Sequence, residues 1–472
     1  MADKDLCYLT ATEAIAKFKR KTLSPVELMK AVIARCEAVN PTVNALTYTF
    51  FDRALAQARA AERRYARGVE TRPLEGIPLA VKDLHPVKGE ITTWGSKVYA
   101  GVRSEYTAPT VQRLFDAGAI MHARTTTPEF GHTGHGHSPL WGVTRNPWNP
   151  EYTSGGSSSG AGVTVAAGMT TLADGSDGGG SIRIPASACG VFGYKPPFGR
   201  NPQGLVPTNN WMFLHMGPLT RSVADAALMQ NVMAGPCTGD ITTLKPKLEI
   251  PRRLDGIRGL KVAYSPDLGY FEVDTEVARN TRAALSVFKS LGCRVKEVDV
   301  GWTHAVYDAW IVQWTGMFAA IAGGYVPSHG YLMDPYVRGL LERGLAMSAV
   351  RANQTTFVQT GMWAKLGPLL DEYDILVCPT LALPAVKAEH RCDDPDFRIN
   401  GKRVHAELMW CMTYPFNLVS QCPVATVPSG FASNGVPTGL QIVGRTYDDV
   451  TVFRAAAAFE SAQPWRGVTP AL

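Results

Sequence analysis

The chain has 472 residues, of which 45% are hydrophobic and 19% are charged, and its formal net charge is +6. This composition is typical of a globular protein with a large core and excludes a disordered chain. Lysine and arginine are scattered, and their densest cluster, residues 17–21, fits a solvated helix end, so we expect no nucleic-acid partner.

The nine cysteines are odd in number and include no CxxC pair, which disfavours a disulfide framework or a zinc site. The N-terminal segment lacks the apolar region of a secretion signal, and no apolar stretch has the roughly 18 residues that a membrane span needs. We therefore expect a cytoplasmic protein without membrane association.

The first 70 residues are predicted to be helical. Ser24, Pro25 and Glu27 form a capping-box start with proline at the first helical position. The apolar residues that follow have helical spacing. A second helix is predicted over residues 51–66, which are rich in alanine and arginine.

After Pro73, short apolar runs alternate with segments of helical character. The predicted strands lie at residues 77–81, 119–121, 260–264, 294–300 and 374–379. The predicted helices lie at residues 110–117, 163–167 and 276–291, and residues 131–160 are predicted to be a loop. This alternation predicts a single large α/β domain.

Two segments rich in glycine and serine, residues 155–160 and 174–181, carry the strongest chemical signal. Glycines allow positive φ, and successive N–H groups of such a turn form an anion-binding concavity. Ser181 ends the second segment, where its hydroxyl would lie beside these donors as a nucleophile lies beside an oxyanion hole.

These segments allow other interpretations. A flexible linker fits poorly because both segments adjoin apolar runs. The phosphate-loop, dinucleotide-binding and nucleophile-elbow patterns are missing. From the residues alone, a ligand-binding loop and a purely structural turn stay open beside a catalytic serine.

Several motifs occur in an order that resembles the amidase signature family. They are GIPLAVKD at residues 76–83, TPEFG at 127–131, TRNPW at 144–148, GGSSSG at 155–160, GSDGGGSIRIP at 175–185, CGVFGYKP at 189–196, GPLTRSVAD at 217–225 and GLQIVG at 439–444. The resemblance covers most of the chain except about residues 240–370.

The resemblance implies one domain over residues 1–472, with a central twisted mixed β-sheet covered by helices on both sides. Its expected parts are a helical segment, a catalytic core, a variable segment that shapes the substrate site and a C-terminal part. These lie at residues 1–70, 71–235, 240–370 and 371–472, respectively.

The resemblance also implies roles for individual residues. Lys82 corresponds to the family's lysine base, Ser157 to its cis-serine and Ser181 to its nucleophile. The oxyanion hole is expected from the N–H groups of Gly178, Gly179 and Gly180, and substrate contacts from Gly131, His132, Ser158, Trp310 and Trp314. No cofactor and no metal are implied.

One position departs from the family pattern. The family commonly has threonine or isoleucine where this chain has Gly178. The backbone N–H remains, so the oxyanion hole should persist. The loop is expected to be looser, because glycine has more conformational freedom to lose.

The implied chemistry needs no histidine. If burial lowers the pKa of Lys82, its neutral amine could take a proton from Ser157, which would take one from Ser181. Considered alone, Lys82 beside Asp83 would instead be a salt-bridged structural lysine. The motif context favours the catalytic interpretation.

Two further clusters allow more than one interpretation. His132, His135 and His137 could bind a metal, line the substrate side or lie at the surface, and His132 is expected nearest the substrate. The aromatic residues 310, 314 and 318 share one helical stripe, which indicates either core packing or an aromatic wall of the cleft.

The sequence therefore predicts a hydrolase of small aryl or alkyl amides, with esters and carbamates (urethanes) as further candidate substrates. The expected partners are such a small molecule and water, and a homodimer is compatible with the sequence. The alternatives are the glutaminase subunit of a tRNA-dependent amidotransferase and a non-catalytic binding protein on the same fold.

Overall fold

A mixed sheet of 11 strands forms the centre of the molecule in the computed structural model, which describes residues 3–204 and 211–472. Its strands are β1 (Leu46–Thr49), β2 (Pro78–Lys82), β3 (Ile120–Thr125), β6 (Leu172–Asp177), β7 (Phe192–Lys195), β8 (His215–Thr220), β9 (Lys261–Tyr264), β10 (Arg294–Glu297), β11 (Ile375–Pro379), β14 (Val424–Phe431) and β15 (Pro437–Gly444). Two short ribbons pair β4 (His137–Ser138) with β5 (Gly142–Val143), and β12 (Arg398–Ile399) with β13 (Lys402–Arg403).

The strand order across the sheet is β1-β3-β2-β6-β8-β7-β14-β15-β11-β9-β10. β2 runs parallel to both β3 and β6, and β9 runs parallel to both β10 and β11. The other neighbouring pairs are antiparallel. The parallel pairing of β2 with β6 places the carboxyl ends of these two strands side by side.

Helices connect and cover the strands. They are α1 (Asp3–Cys7), α2 (Ala11–Lys19), α3 (Pro25–Val43), α4 (Phe51–Arg67), α5 (Pro109–Asp116), α6 (Ser159–Ala166), α7 (Arg183–Cys189), α8 (Val223–Met233), α9 (Thr275–Ser290), α10 (Ala305–Ala322), α11 (Val326–His329), α12 (Pro335–Leu345), α13 (Ala349–Glu372), α14 (Pro415–Leu418) and α15 (Asp449–Ala462). Within the described residues, no helix is both long and apolar enough to span a membrane.

The core lies on both faces of the sheet, as β11 illustrates. Leu376 packs in a cluster with residues of α10, α12 and α13, whereas Ile375 and Val377 pack in a second cluster with residues of α9 and α15. Successive side chains of a strand point to opposite faces, so helices lie on both sides of the sheet. The predicted α/β class and mixed central sheet are therefore confirmed.

Several local predictions are also confirmed. The capping box at the start of α3 is present: Ser24 Oγ accepts the N–H of Glu27 at 3.1 Å, and Glu27 Oε2 accepts the N–H of Ser24 at 2.7 Å. The predicted strands and helices each have a counterpart in the structure. The strand predicted over residues 294–300 ends three residues early, at Glu297.

Of the 15 strands in the described residues, ten were not predicted: β1, β4 to β8 and β12 to β15. Two of these strands show why. β1 lies inside the segment predicted to be helical, where it pairs antiparallel with β3 at the edge of the sheet. β6 contains residues that were predicted to form a glycine-rich turn. Asp174 of this strand is buried, and its carboxylate is hydrogen-bonded to the main-chain N–H of Lys82 and to the ring of His85. Strand propensity could not predict these contacts, because they come from other segments of the chain.

Candidate active site

Three chain segments meet at the carboxyl ends of β2 and β6. Lys82 is the last residue of β2. β6 ends at Asp177, directly before the turn that carries Ser181. The third segment precedes α6 and contains Ser157, whose peptide bond to Gly156 is cis. The N–H of Ser158 donates to the carbonyl of Ser181 at 3.1 Å, which joins the two serine segments.

The amine of Lys82 is fully buried among hydroxyl groups. Its Nζ lies 2.9 Å from Ser157 Oγ, 3.0 Å from Ser158 Oγ and 3.1 Å from Ser176 Oγ. No carboxylate of the described residues forms an ion pair with it. Burial lowers the pKa of Lys82 from 10.5 to about 7, although the charges of Asp174 and Asp177 act in the opposite direction. A large fraction of this amine is therefore neutral near pH 7.

The three hydroxyls around Lys82 differ in what else they contact. Ser158 Oγ donates to the main-chain carbonyl of Ser176 at 3.3 Å, so its proton is engaged. Ser157 and Ser176 line a small cavity together with Ser181. Among the described residues, no hydrogen bond joins Ser157 Oγ to Ser181 Oγ. The structure thus brings both hydroxyls to one cavity without linking them directly.

This cavity has a volume of about 30 Å³, and its lining residues are aromatic or aliphatic apart from two glycines and three serines. Its lining residues are Leu84, Trp94, Phe130, Gly131, Ser157, Ser176, Gly178, Ser181, Trp211, Leu214, Trp314, Met317, Phe318 and Ile321. Ser181 itself is 6% exposed. A group held beside Ser181 would meet mainly aromatic and aliphatic side chains.

A buried ion pair fixes the turn before Ser181. Arg183 Nη2 lies 2.9 Å from Asp177 Oδ1, and both side chains are inaccessible to solvent. Burial opposes the ionisation of Asp177, but the Arg183 guanidinium more than offsets it and holds the pKa of that carboxyl below its usual range. Asn417 Nδ2 also donates to Asp177 Oδ1, at 2.9 Å. The carboxylate therefore remains a firm acceptor for nearby N–H groups.

The N–H groups of the glycine turn are not equivalent. Gly180 donates its N–H to Asp177 Oδ1 at 2.8 Å, so the prediction that all three glycines offer free donors is wrong for Gly180. In the part of the chain that the structure describes, the N–H groups of Gly178 and Gly179 donate to no protein acceptor. The sequence could not reveal this difference, because it depends on the position of the Asp177 carboxylate.

Side chains from distant segments hold the carbonyl groups of the same turn. The carbonyl of Gly178 accepts from Trp310 Nε1 at 3.4 Å, and that of Gly179 accepts from Thr413 Oγ1 at 2.7 Å. Because the C=O and N–H of a trans peptide point in opposite directions, the N–H of Gly179 is directed away from Trp310.

Tryptophan side chains occupy the space beside the glycines. A Cβ atom at Gly178 would lie 2.6 Å from Cζ3 of Trp314, and one at Gly179 would lie 2.6 Å from Cζ2 of Trp310. The two indoles stack with centroids 4.8 Å apart, and Trp314 Nε1 donates to the carbonyl of His132 at 3.1 Å. The turn at Gly178 is therefore tightly packed, contrary to the expectation of a looser loop.

The histidine cluster lies mostly around a second cavity of about 330 Å³, which His132, His135 and His137 line. His132 does not itself line the Ser181 cavity, but it contacts Trp314 and Phe318, which do, so its expected place nearest the substrate among the three histidines stays a prediction. Burial lowers the pKa of His132 to about 4, and its ring lies edge-on to Phe318. Among residues 3–204 and 211–472, no group of three or more potential ligands is arranged to hold a metal ion.

The predicted site residues thus divide into two groups. Lys82, Ser157, Ser158 and Ser181 come together, and Gly131 and Trp314 line the same cavity. Trp310 packs behind the glycine turn, and His132 contributes its carbonyl to Trp314. Most residues of the cavity lining were not predicted. The polar contacts that were missed include Ser176, which lies within the motif at 175–185, and Thr413, which no sequence signal connects to the turn.

The chain is similar to known proteins over most of its length. The family model described as Amidase matches residues 27–453. The chain is 36% identical to an acylamidase from Rhodococcus erythropolis over 100% of this chain and 99% of that protein. It is 32% identical to a glutamyl-tRNA(Gln) amidotransferase subunit from Geobacter metallireducens, with 98% of each chain covered.

Two solved structures also resemble this chain over nearly its whole length. A bacterial aryl acylamidase of the amidase signature enzymes superposes with a TM-score of 0.90 at 30% identity, over 98% of this chain and 97% of that one. A 6-aminohexanoate cyclic dimer hydrolase with bound substrate superposes with a TM-score of 0.85 at 27% identity, over 98% of this chain and 99% of that one.

Proposed function

Because this chain belongs to the amidase signature family and is an amide hydrolase, we propose that it cleaves small aryl and alkyl amides through an acyl-enzyme on Ser181. The observation that carries the proposal is the contact of 2.9 Å between the buried amine of Lys82 and Ser157 Oγ, at a cavity that Ser181 also lines. This arrangement supplies a base, a relay and a nucleophile.

In the proposed reaction, neutral Lys82 takes the proton of Ser157 Oγ, and Ser157 takes that of Ser181 Oγ. Ser181 Oγ then forms a bond to the carbonyl carbon, and the electron pair of the C=O bond moves to the oxygen. The free N–H groups of Gly178 and Gly179 are the proposed donors to this oxyanion. Ser157 returns a proton to the leaving nitrogen as the C–N bond breaks, and Lys82 reprotonates Ser157.

Deacylation repeats the sequence with water in place of Ser181. Lys82 and Ser157 remove a proton from the water as its oxygen attacks the acyl carbon. The ester bond to Ser181 then breaks, and Ser181 Oγ recovers a proton. No step needs a histidine or a cofactor. The same residues could act on esters and carbamates, which differ only in the leaving group or in the second heteroatom.

The cavity lining supports an apolar substrate group. Trp94, Phe130, Trp314 and Phe318 contribute aromatic surface beside Ser181, and none of the described lining residues carries a charge. Glutamine would bring an ammonium and a carboxylate group, which are costly to bury without partners. The similarity to the amidotransferase subunit keeps glutamine as the second candidate substrate.

A substrate panel tests the proposed function. The purified chain would be assayed with an anilide, a primary alkyl amide, an ester, a dialkyl carbamate and glutamine. We expect the anilide to exceed glutamine in kcat/KM by at least about tenfold, since one misplaced charge costs more than about 1.4 kcal/mol. Hydrolysis of glutamine alone, or no hydrolysis of any amide, would contradict the proposal.

The packing at Gly178 leads to a prediction on activity. Gly178→Ala would place a methyl group 2.6 Å from the fixed ring of Trp314. Overpacking of this kind costs about 1–3 kcal/mol. We expect kcat on the anilide to fall by roughly 10- to 100-fold, together with a lower Tm, because the strained turn carries Ser181 and the proposed oxyanion donors.

A second substitution and a control separate this effect from general damage. Gly178→Ala combined with Trp314→Phe should recover part of the lost kcat, because the smaller ring vacates the contact. Gly361→Ala is the matched control, since a Cβ there meets nothing within 4 Å. Full activity of the Gly178→Ala single variant would show that this contact does not constrain the turn.

A further inference from the structure

A buried carboxylate–imidazole pair contacts the main chain of Lys82 and has no part in the proposed reaction. Asp174 Oδ1 accepts the main-chain N–H of Lys82 at 2.8 Å. Asp174 Oδ2 is hydrogen-bonded to Nδ1 of His85. Both side chains have 0% exposure, and the pair bridges β6 and the turn that follows β2.

The other charged groups around Lys82 have arginine partners. Asp83 lies 3.5 Å from Arg124, which also donates from Nη2 to the carbonyls of Lys82 and His85 at 3.1 and 2.7 Å. Asp177 is paired with Arg183. Among the described residues, no arginine or lysine lies within ion-pair distance of Asp174. Asp174 therefore differs from Asp83 and Asp177 in having a histidine rather than an arginine as its side-chain partner.

We propose that Asp174, hydrogen-bonded to His85, is a positioning residue for Lys82, because it fixes the main chain of the lysine and brings a negative charge close to this residue. The inference rests on the proposed function, in which Lys82 is the base. Its structural basis is the pair of hydrogen bonds that hold the Asp174 carboxylate between Lys82 and His85.

The negative charge of Asp174 is expected to favour the protonated form of Lys82. Burial lowers the pKa of Lys82, and Asp174 is the larger of two carboxylate influences that raise it. A nearby negative charge favours the protonated amine, so its removal should make Lys82 a weaker base. The amine of Lys82 would then stay deprotonated down to a lower pH, but the transfer of a proton from Ser157 to this amine would be less favourable.

Asp174→Asn tests the proposal, because asparagine keeps the shape and an oxygen acceptor for the N–H of Lys82. We expect the acid limb of kcat/KM for the anilide to move to lower pH by about one unit, as the loss of a close opposite charge predicts. The activity on the plateau should fall by roughly three- to tenfold. A purely structural role would lower the activity without moving the limb.

The rate at which a fluorophosphonate labels Ser181, measured against pH, provides a readout that is independent of amide binding. If Ser181 of the natural chain is not labelled at all, the proposed function itself fails. If it is labelled and Asp174→Asn gives the same acid limb, this inference alone is overturned.

Asp225→Asn is the matched control, since Asp225 is a buried carboxylate that accepts the N–H groups of Ala11 and Thr12 away from the site. We expect the acid limb of kcat/KM in Asp225→Asn to lie at the same pH as in the natural chain. A shift as large as that of Asp174→Asn would overturn the inference. If Asp174→Asn does not fold, His85→Leu replaces it.

His85→Leu removes the donor that sustains the buried charge of Asp174, so its acid limb should move in the same direction. His85→Asn retains a donor near the position of Nδ1 and should restore the limb to that of the natural chain. Equal limbs in the leucine variant and the natural chain would overturn the inference.

Discussion

Replacement of Ser181 by alanine is expected to reduce hydrolysis of the anilide by at least about 10⁴-fold, since removal of the nucleophile from a serine hydrolase typically leaves only residual binding catalysis. Ser157 and Ser176 also line the cavity, but both contact Lys82 rather than the glycine turn. Neither hydroxyl therefore takes the place of Ser181 beside the free N–H groups. Progress curves with the purified variant would give the residual rate.

Labelling and a matched serine variant make this result specific. The Ser181→Ala variant should no longer form a fluorophosphonate adduct detectable by intact-protein mass spectrometry. Ser159→Ala is the control, because Ser159 lies in the segment that carries Ser157, is buried and has an Oγ without a hydrogen-bond partner. It should retain its activity and its adduct. More than about one-tenth of the activity in Ser181→Ala would rule out Ser181 as the nucleophile.

Lys82→Met is expected to lower kcat/KM by about 10²- to 10⁴-fold, the usual contribution of a general base. The natural chain should also show an acid limb near pH 7, because burial lowers the pKa of Lys82 to about 7 and only the neutral amine can accept a proton. Below that pH the rate should fall about tenfold per unit, and above it the rate should level off. In Lys82→Met this limb should disappear, which a pH series from about 5.5 to 9 would measure.

The chain contains a suitable control for this experiment. Lys195 is also fully buried, and burial lowers its pKa to about 7 as well. Its Nζ donates to the main-chain carbonyl of Cys422 at 2.8 Å and does not line the Ser181 cavity. Lys195→Met should therefore keep the acid limb even if its Tm changes. A limb that survives in Lys82→Met and disappears in Lys195→Met would reverse the assignment of the base.

The parts of the fold that follow from local pattern could be predicted from the sequence. The capping box of α3 and the apolar strand β11 depend on neighbouring residues, so their positions agree with the structure. β6 was missed because its polar residues are stabilised by Lys82 and His85 across the sheet rather than by their own propensity. β1 was missed because it has only four residues and lies between two helices.

The candidate site, like the fold, could be predicted only in part from the sequence. Lys82, Ser157 and Ser181 were identified through motif order, and the structure brings them together at two strand ends and one helix start. The engagement of the Gly180 N–H could not be predicted, because it depends on the direction of one carboxylate. Helical spacing also could not separate Trp310 from Trp314, although only Trp314 lines the cavity.

Helix α10 couples substrate range to the geometry of the reactive turn. Trp310 holds the carbonyl of Gly178, and Trp314 four residues later both covers Gly178 and borders the space beside Ser181. A substitution on this helix that admits a bulkier substrate would also disturb the turn, so its benefit would depend on the residue at position 178. We therefore expect strong epistasis between α10 and the turn, and directed evolution of new specificity should proceed through paired rather than single changes.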